Sequence, residues 1–226
     1  MKGAKKITGL KANRPAPRRI WLVRHGMTEW NTQQRYCGHS DIPLSREGRL
    51  QAHWLARYLR AVNIGAIYSS DLWRAYETAE IITSKRELAL PIQASAAWRE
   101  IHFGTWEGLT YVQIAASFPE HLDFFTHPEQ IAPPGGETLE SLQQRVLVSL
   151  AQIVDEQAED ILIVSHGGPL RVLLSSCLGM SLARQWQISI DPGSLSALDL
   201  VAPSDSQVPL GTLALLNLQE SPVLHI

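Results

Sequence analysis

The chain has 226 residues, 45% of them hydrophobic and 19% charged, the size and balance of one generous soluble domain. This excludes collagen-like and disordered classes, and no apolar run reaches the roughly 18 residues of a membrane span, since Ile161 to Met180 is broken by His166 and Arg171. The formal net charge of −2 hides an asymmetry, with seven basic and no acidic residues up to Arg19 and 13 basic against 22 acidic after it.

In chain order, residues 1–18 read as a basic, disordered, solubilising tail, and no apolar run of signal-peptide length follows before Arg24. One domain over 19–226 is expected, and its acidic balance argues against nucleic-acid binding. Arg19 to Val23 reads as a strand covered on both faces, because Ile20, Trp21, Leu22 and Val23 are continuously apolar. Ser45 to Ala61 has helical spacing through Leu50, Trp54, Leu55, Tyr58 and Leu59, with Ser45 as N-cap. Ala66 to Ser69 is a second strand and Leu72 to Ser84 a second helix. Thr126 to Gly136, with three prolines and two glycines, is a surface loop rather than a linker. Leu142, Val146, Leu150 and Ile153 mark a helix over Thr138 to Gln157. Ile161 to Ser165 is the cleanest strand, followed by a helix from Pro169 to Leu178 and late strands at Ser194 to Leu200 and Thr212 to Leu218. Strands alternating with helices predict a three-layer α/β/α sandwich around a mostly parallel sheet. Cys37 and Cys177 form no C-x-x-C pair, which argues against structural zinc and suits a reducing, cytoplasmic setting.

Two histidines share one context. Arg24-His25-Gly26 follows the first strand, and Ser165-His166-Gly167-Gly168 follows the strand from Ile161. Ligands of open α/β sheets bind beyond the carboxyl ends of the strands, so both imidazoles should reach one crevice. A helix starting near Pro169 would point its positive end there, which favours an anion. Arg24 and Arg74 stand at strand ends, where planar guanidinium groups bind phosphate bidentately. Arg74 taken alone reads as a solvated helix residue. Glu100 and Glu107 flank Phe103-Gly104-Thr105-Trp106, and a carboxyl group beside aromatic rings loses hydration, which suits it to proton donation. Two surface glutamates are the simpler alternative.

These segments together resemble the histidine phosphatase superfamily, which includes cofactor-dependent phosphoglycerate mutases. Arg24-His25-Gly26-Met27-Thr28 is similar to its R-H-G-x-T signature, with Met27 where the family often has Glu or Gln, a change at the pocket rim. Asn31, then Gly38, Asp41, Pro43, Leu44 and Gly48, resemble its G-x-x-D-x-P-L region. Ser69 to Ala75 with Thr78-Ala79 resembles S-x-L-x-R-A-x-x-T-A, Arg99-Glu100 with Phe103 to Gly108 resembles the acid-bearing loop, and Ser165 to Gly168 resembles the second-histidine motif. The resemblance runs from Ile20 to about Leu218.

It implies that His25 is the nucleophile, that Arg24, Arg74 and His166 hold the phosphoryl oxygens, and that Glu100 protonates the leaving oxygen and then helps activate water. Asn31, Gly38 and Gly167 are implied as further phosphate-pocket residues. No metal and no cofactor is expected, because the arginines supply the charge. The implied partner is a small-molecule phosphomonoester, without nucleic acid or membrane, and the oligomeric state is left open, a homodimer included. Residues 108–136 contain no Lys or Arg, which argues against a mutase. Their apolar content, Leu109, Tyr111, Ile114, Phe118, Leu122, Phe124 and Phe125, suits either a wall for a flat substrate or helix packing. Trp106 to Thr110 and Pro134 to Thr138 resemble the α-ribazole phosphatase branch of cobalamin assembly, and also broad-specificity phosphatases. A phosphate-binding regulatory module without turnover is the remaining alternative.

Overall fold

Ile20, Leu22 and Val23 are fully buried and Trp21 nearly so, as a strand packed on both faces requires. The computed structural model describes residues 18–84, 86, 90–156, 160–200 and 210–220, so the basic tail before Arg18 lies outside the described residues. Six strands form one sheet: β1 (Arg18–Arg24), β2 (Ile64–Ser70), β3 (Ile92–Ser95), β4 (Asp160–Ser165), β5 (Leu195–Leu200) and β6 (Gly211–Leu218). Their order is β3-β2-β4-β1-β5-β6. The three pairings among β3, β2, β4 and β1 are parallel, while β1–β5 and β5–β6 are antiparallel.

The helices are α1 (Glu29–Thr32), α2 (Arg46–Tyr58), α3 (Trp73–Thr83), α4 (Tyr111–Ser117), α5 (Leu139–Glu156) and α6 (Gly167–Cys177). Strand side chains alternate between the faces, which gives two cores. Ile20, Leu22, Ile161 and Ile163 pack with Leu142, Val146 and Leu150 of α5 and Leu170, Leu173 and Leu174 of α6. Trp21, Val23, Leu162 and Val164 pack with Leu55 of α2 and Ala75, Ala79 and Ile82 of α3. The expected three-layer α/β/α arrangement is present.

Three details differ from the sequence reading. The buried face of α2 is Gly48, Ala52, Leu55 and Ala56, whereas Leu50 and Tyr58 are 58% and 45% exposed. Small residues bring this helix close to α3 and to the turn after β1, and counting only large apolar side chains rotates the face. β3 escapes the sequence pattern because it is a four-residue edge strand with two exposed positions. α6 starts at Gly167 rather than Pro169, since proline is tolerated in a first turn whose N–H groups have no helical partner.

Ser45 is the N-cap of α2, its hydroxyl accepting from Gly48 N at 3.1 Å. Gly48 also meets the β1–α1 turn: a Cβ on it would lie 2.2 Å from Met27 O, and one on Gly26 would lie 2.3 Å from Gly48 O. Both contacts are backbone and neither yields easily. Gly48→Ala is therefore expected to cost about 1–3 kcal/mol by overpacking. Urea unfolding checks this, and a loss below about 0.5 kcal/mol would show that the turn relaxes freely.

Candidate active site

Parallel pairing sets Arg24 of β1 opposite Ser165 of β4, so His25 and His166 emerge side by side at adjacent strand ends. Their ring centroids are 5.0 Å apart in an edge-to-face arrangement, and both side chains are buried. His25 Nδ1 lies 2.7 Å from Gly26 O. A carbonyl only accepts, so Nδ1 carries the proton and Nε2 keeps its lone pair. Burial, reinforced by the Arg74 and Arg24 charges, holds His25 well below the usual imidazole range despite the Gly26 bond. His166 is held equally low by burial and by Arg74, His25 and Arg24. Both rings are neutral at pH 7, and among the described residues neither ring nitrogen of His166 has a hydrogen-bond partner.

The cations around them are held by carbonyl groups. Arg24 donates to Ile190 O at 2.6 Å, and burial pushes its guanidinium down to about 10, still charged at neutral pH. Arg74 is completely buried and donates to Ser40 O at 2.8 Å and Gly38 O at 2.7 Å. Among the described residues the Nε of each arginine has no partner. Thr78, one turn along α3, donates to Arg74 O and accepts from Gly26 N, tying the arginine's helix to the first histidine's turn.

Glu100 and Glu107 separate into two roles. Glu100 lines the cavity, and its Oε1 accepts from Ile101 N at 2.9 Å and Gly168 N at 3.0 Å. The positive end of α6, expected to face an anion, is thus partly taken by Glu100. Glu107 accepts from His39 N at 2.8 Å and from Ser40 N and Oγ at 2.7 and 2.5 Å. Burial alone would raise its pKa, but the Ser40 and His39 hydrogen bonds win and hold the carboxyl below its ordinary value. Glu107 is a brace for the 38–40 loop whose carbonyls hold Arg74.

The cavity of about 410 Å³ is lined by Arg24, His25, Asn31, Arg35, Tyr36, Cys37, Glu100, Phe103, Phe125, Arg171 and Trp186, within the ordinary range for small-molecule sites. Asn31 Oδ1 accepts from Thr28 N and Oγ1, which leaves its amide NH2 as the end available to a ligand. Gly38 and Gly167 stand behind the lining. A Cβ on Gly38 would lie 2.3 Å from Glu107 Oε1, and one on Gly167 would lie 3.2 Å from Arg171 Nη1. Met27 is absent from the lining; its backbone binds Ser45 and Gln51 instead. Of the apolar residues in 108–136 only Phe125 reaches the cavity. Ile114 and Phe124 are fully buried core.

Sequence reasoning missed Arg171, Trp186, Arg35, Tyr36 and Arg145. Arg171 was findable, since it stands one helical turn after Gly167 and therefore on the same face of α6. Arg145 of α5 binds the backbone that carries Glu100, donating to the carbonyls of Ala97, Arg99 and Glu100 and pairing with Glu137 at 2.6 Å. Trp186 had no signal, because it lies in a short 3-10 helix, Leu182–Gln187, far along the chain.

Residues 20–205 match the histidine phosphatase superfamily (branch 1). A bifunctional protein of Mycobacterium tuberculosis is 36% identical over 204 residues, covering 89% of this chain and 56% of that protein. The chain thus spans little more than half the length of that relative. The adenosylcobalamin/alpha-ribazole phosphatase of Escherichia coli is 34% identical over 184 residues, 80% of this chain and 90% of that one. The crystal structure of a putative alpha-ribazole-5′-P phosphatase from Escherichia coli superposes with a TM-score of 0.80 at 32% identity, covering 89% and 96% of the two chains. The chain belongs to the histidine phosphatase superfamily. Among the described residues no helix is long and apolar enough to cross a membrane.

The brace reading of Glu107 has a measurable consequence. A carboxyl whose folded pKa lies below its ordinary 4.5 contributes stability that is complete above the ordinary value and lost as pH falls through the folded one. Glu107→Gln is therefore expected to lower stability at pH 7 and to flatten the loss between about pH 5 and pH 3. Parallel acid-unfolding curves for the two proteins would remove this role.

Proposed function

We propose that the chain is a metal-independent phosphomonoesterase that works through a phosphohistidine on His25. The observation that carries the proposal is the state of the two imidazoles. His25 presents a free Nε2 lone pair because Nδ1 is committed to Gly26 O. Next to it lie unpartnered nitrogens of His166, Arg24 and Arg74, which a phosphoryl group would satisfy. Phosphoryl transfer is catalysed mainly by positioning and charge stabilisation, and neutral imidazole is a competent nucleophile.

In the proposed sequence His25 Nε2 attacks phosphorus in line and forms the N–P bond as the ester P–O bond breaks. Arg24, Arg74 and His166 hold the phosphoryl oxygens. Glu100, anchored by Ile101 N and Gly168 N, delivers a proton to the leaving oxygen. Water then attacks phosphorus, the same carboxylate takes its proton, and phosphate leaves a free His25. Each position has its residue, which favours an enzyme over a phosphate-binding module. The absence of Lys and Arg from 108–136 favours hydrolysis over a mutase's handling of a bisphosphate. The aromatic rings of Tyr36, Phe103, Phe125 and Trp186 on the cavity wall support an ester with a bulky remainder. α-Ribazole 5′-phosphate, the substrate named for the Escherichia coli relatives, is one ester of this kind. One catalytic domain over 19–226 and a reducing, cytoplasmic setting belong to the same proposal, the latter supported by free thiols at Cys37 and Cys177.

The test is turnover of p-nitrophenyl phosphate in EDTA by wild type and His25→Ala. Wild type is expected to release phosphate and to carry an acid-labile, base-stable phosphate on His25, while folded His25→Ala does neither. Near-wild-type turnover by the variant sinks the mechanism, and isomerisation of a phosphoglycerate without phosphate release would make the chain a mutase.

Glu100 gives a second test. General acid catalysis is typically worth about 10²–10⁴-fold for a poor leaving group, whereas p-nitrophenolate needs little help. Glu100→Gln is expected to slow the single-turnover burst from an alkyl phosphate far more than from p-nitrophenyl phosphate. Equal slowing would reduce Glu100 to a positioning group.

A further inference from the structure

The cavity carries more positive charge than the transferring phosphoryl group calls for. Arg24, Arg35 and Arg171 line it with Glu100 as the one acidic wall residue. Arg74 stands behind them, and both histidines are neutral. Among the described residues none of these four arginines forms an ion pair with a carboxylate.

Arg171 is the cation that phosphoryl binding does not explain. Its Nε donates to Ile188 O at 2.9 Å, and its guanidinium lies 5.6 Å above the Trp186 ring. Both terminal nitrogens are therefore left for a ligand, on a head group fixed from one edge and one face. Arg24 hangs from Ile190 O, two residues further along the same segment. A Cβ on Gly167 would stand 3.2 Å from Arg171 Nη1 and 3.4 Å from Arg24 Cζ, so the two cations are neighbours. They are not equivalent. Arg74 and Arg24 are the charges that help depress both imidazoles, whereas Arg171 is the one seated over the Trp186 ring. Both Arg24 and Arg171 share the field of Glu100, the group that faces the leaving oxygen. Trp186, 47% exposed, marks this side as the mouth. Arg171 thus lies outward of the phosphoryl site, on the leaving-group side.

We propose that Arg171, backed by Trp186, is a specificity-determining residue that selects phosphomonoesters whose leaving group bears a carboxylate close to the ester oxygen. The inference rests on the phosphatase reading above and narrows its substrate class. It ranks an ester with an uncharged remainder, α-ribazole 5′-phosphate among them, below one that carries an anion. Two like-charged guanidinium groups held partly out of water by carbonyls are costly neighbours, and a ligand with two anionic groups relieves both at once.

The matched probes are glycerol 3-phosphate and 3-phosphoglycerate, which share a carbon skeleton and differ in a hydroxymethyl against a carboxylate. The readout is the ratio of kcat/KM for phosphate release from the two esters within each enzyme, so any general loss of activity cancels. Wild type is expected to favour the carboxylate ester by about 10- to 100-fold, the worth of a charge-assisted hydrogen bond. Arg171→Met should bring the ratio near one, chiefly through KM, and Arg171→Lys should fall between. A wild-type ratio near one overturns the inference without any variant. An unchanged ratio in Arg171→Met also overturns it, placing Arg171 on the phosphoryl group itself. A wild type inert on both esters and on p-nitrophenyl phosphate overturns the phosphatase reading instead.

Discussion

The site depends first on the in-register parallel pairing of β1 with β4. Ile20 faces Ile161 and each later pair follows, until Arg24 faces Ser165. The next residue on each strand is a histidine, so the register alone brings the two rings within 5.0 Å. A one-residue slip would turn one imidazole to the opposite face of the sheet. The alternating burial of Ile20 and Leu22 in one core and Trp21 and Val23 in the other guards against that slip, because moving it would invert both cores. His25 N donating to Ser165 O at 2.9 Å carries the pairing one step past the strand end.

Around that pair the protein holds cations with carbonyl groups instead of carboxylates. Arg24 is held by Ile190 O, Arg74 by Ser40 O and Gly38 O, and Arg171 by Ile188 O. A carboxylate would orient a guanidinium equally well but would cancel its charge. A carbonyl fixes the geometry and leaves the charge for a ligand. Carboxylates are used one layer further out, where neutralisation does no harm. Glu107 holds the loop that holds Arg74, and Glu137 pairs with Arg145, which holds the backbone of Glu100. Burial, reinforced by the retained positive field, keeps His25 and His166 neutral at pH 7, the form in which imidazole is nucleophilic.

Much of this was legible in the sequence, and the division between legible and hidden is physical. Continuous apolar strands declare themselves, so β1 and β4 were found, and the residues just beyond them, His25 and His166, came with them. β3 was hidden because an edge strand with two exposed positions has no such run. The true face of α2 was hidden because Gly48, Ala52 and Ala56 make contact by being small. Glu100 and Glu107 were indistinguishable as letters, seven positions apart beside the same rings. Only the distances to Gly168 N and Ser40 N tell them apart.

The hidden part of the site belongs to the substrate rather than to the chemistry. His25, His166, Arg24 and Arg74 sit at strand and helix ends that local pattern locates. Trp186 comes from a short 3-10 helix and Tyr36 from a loop, segments whose position follows from tertiary packing. Arg171 has a foot in both regions: its helix is readable from Gly167 onward, but its meaning depends on Trp186 and Ile188, which only the folded chain brings beneath it. The 182–190 segment thus sets Arg24 through one carbonyl and Arg171 through another. Under the proposed function, a change in that segment would therefore move leaving-group selection and phosphoryl binding together, whereas a change at Arg171 would separate them.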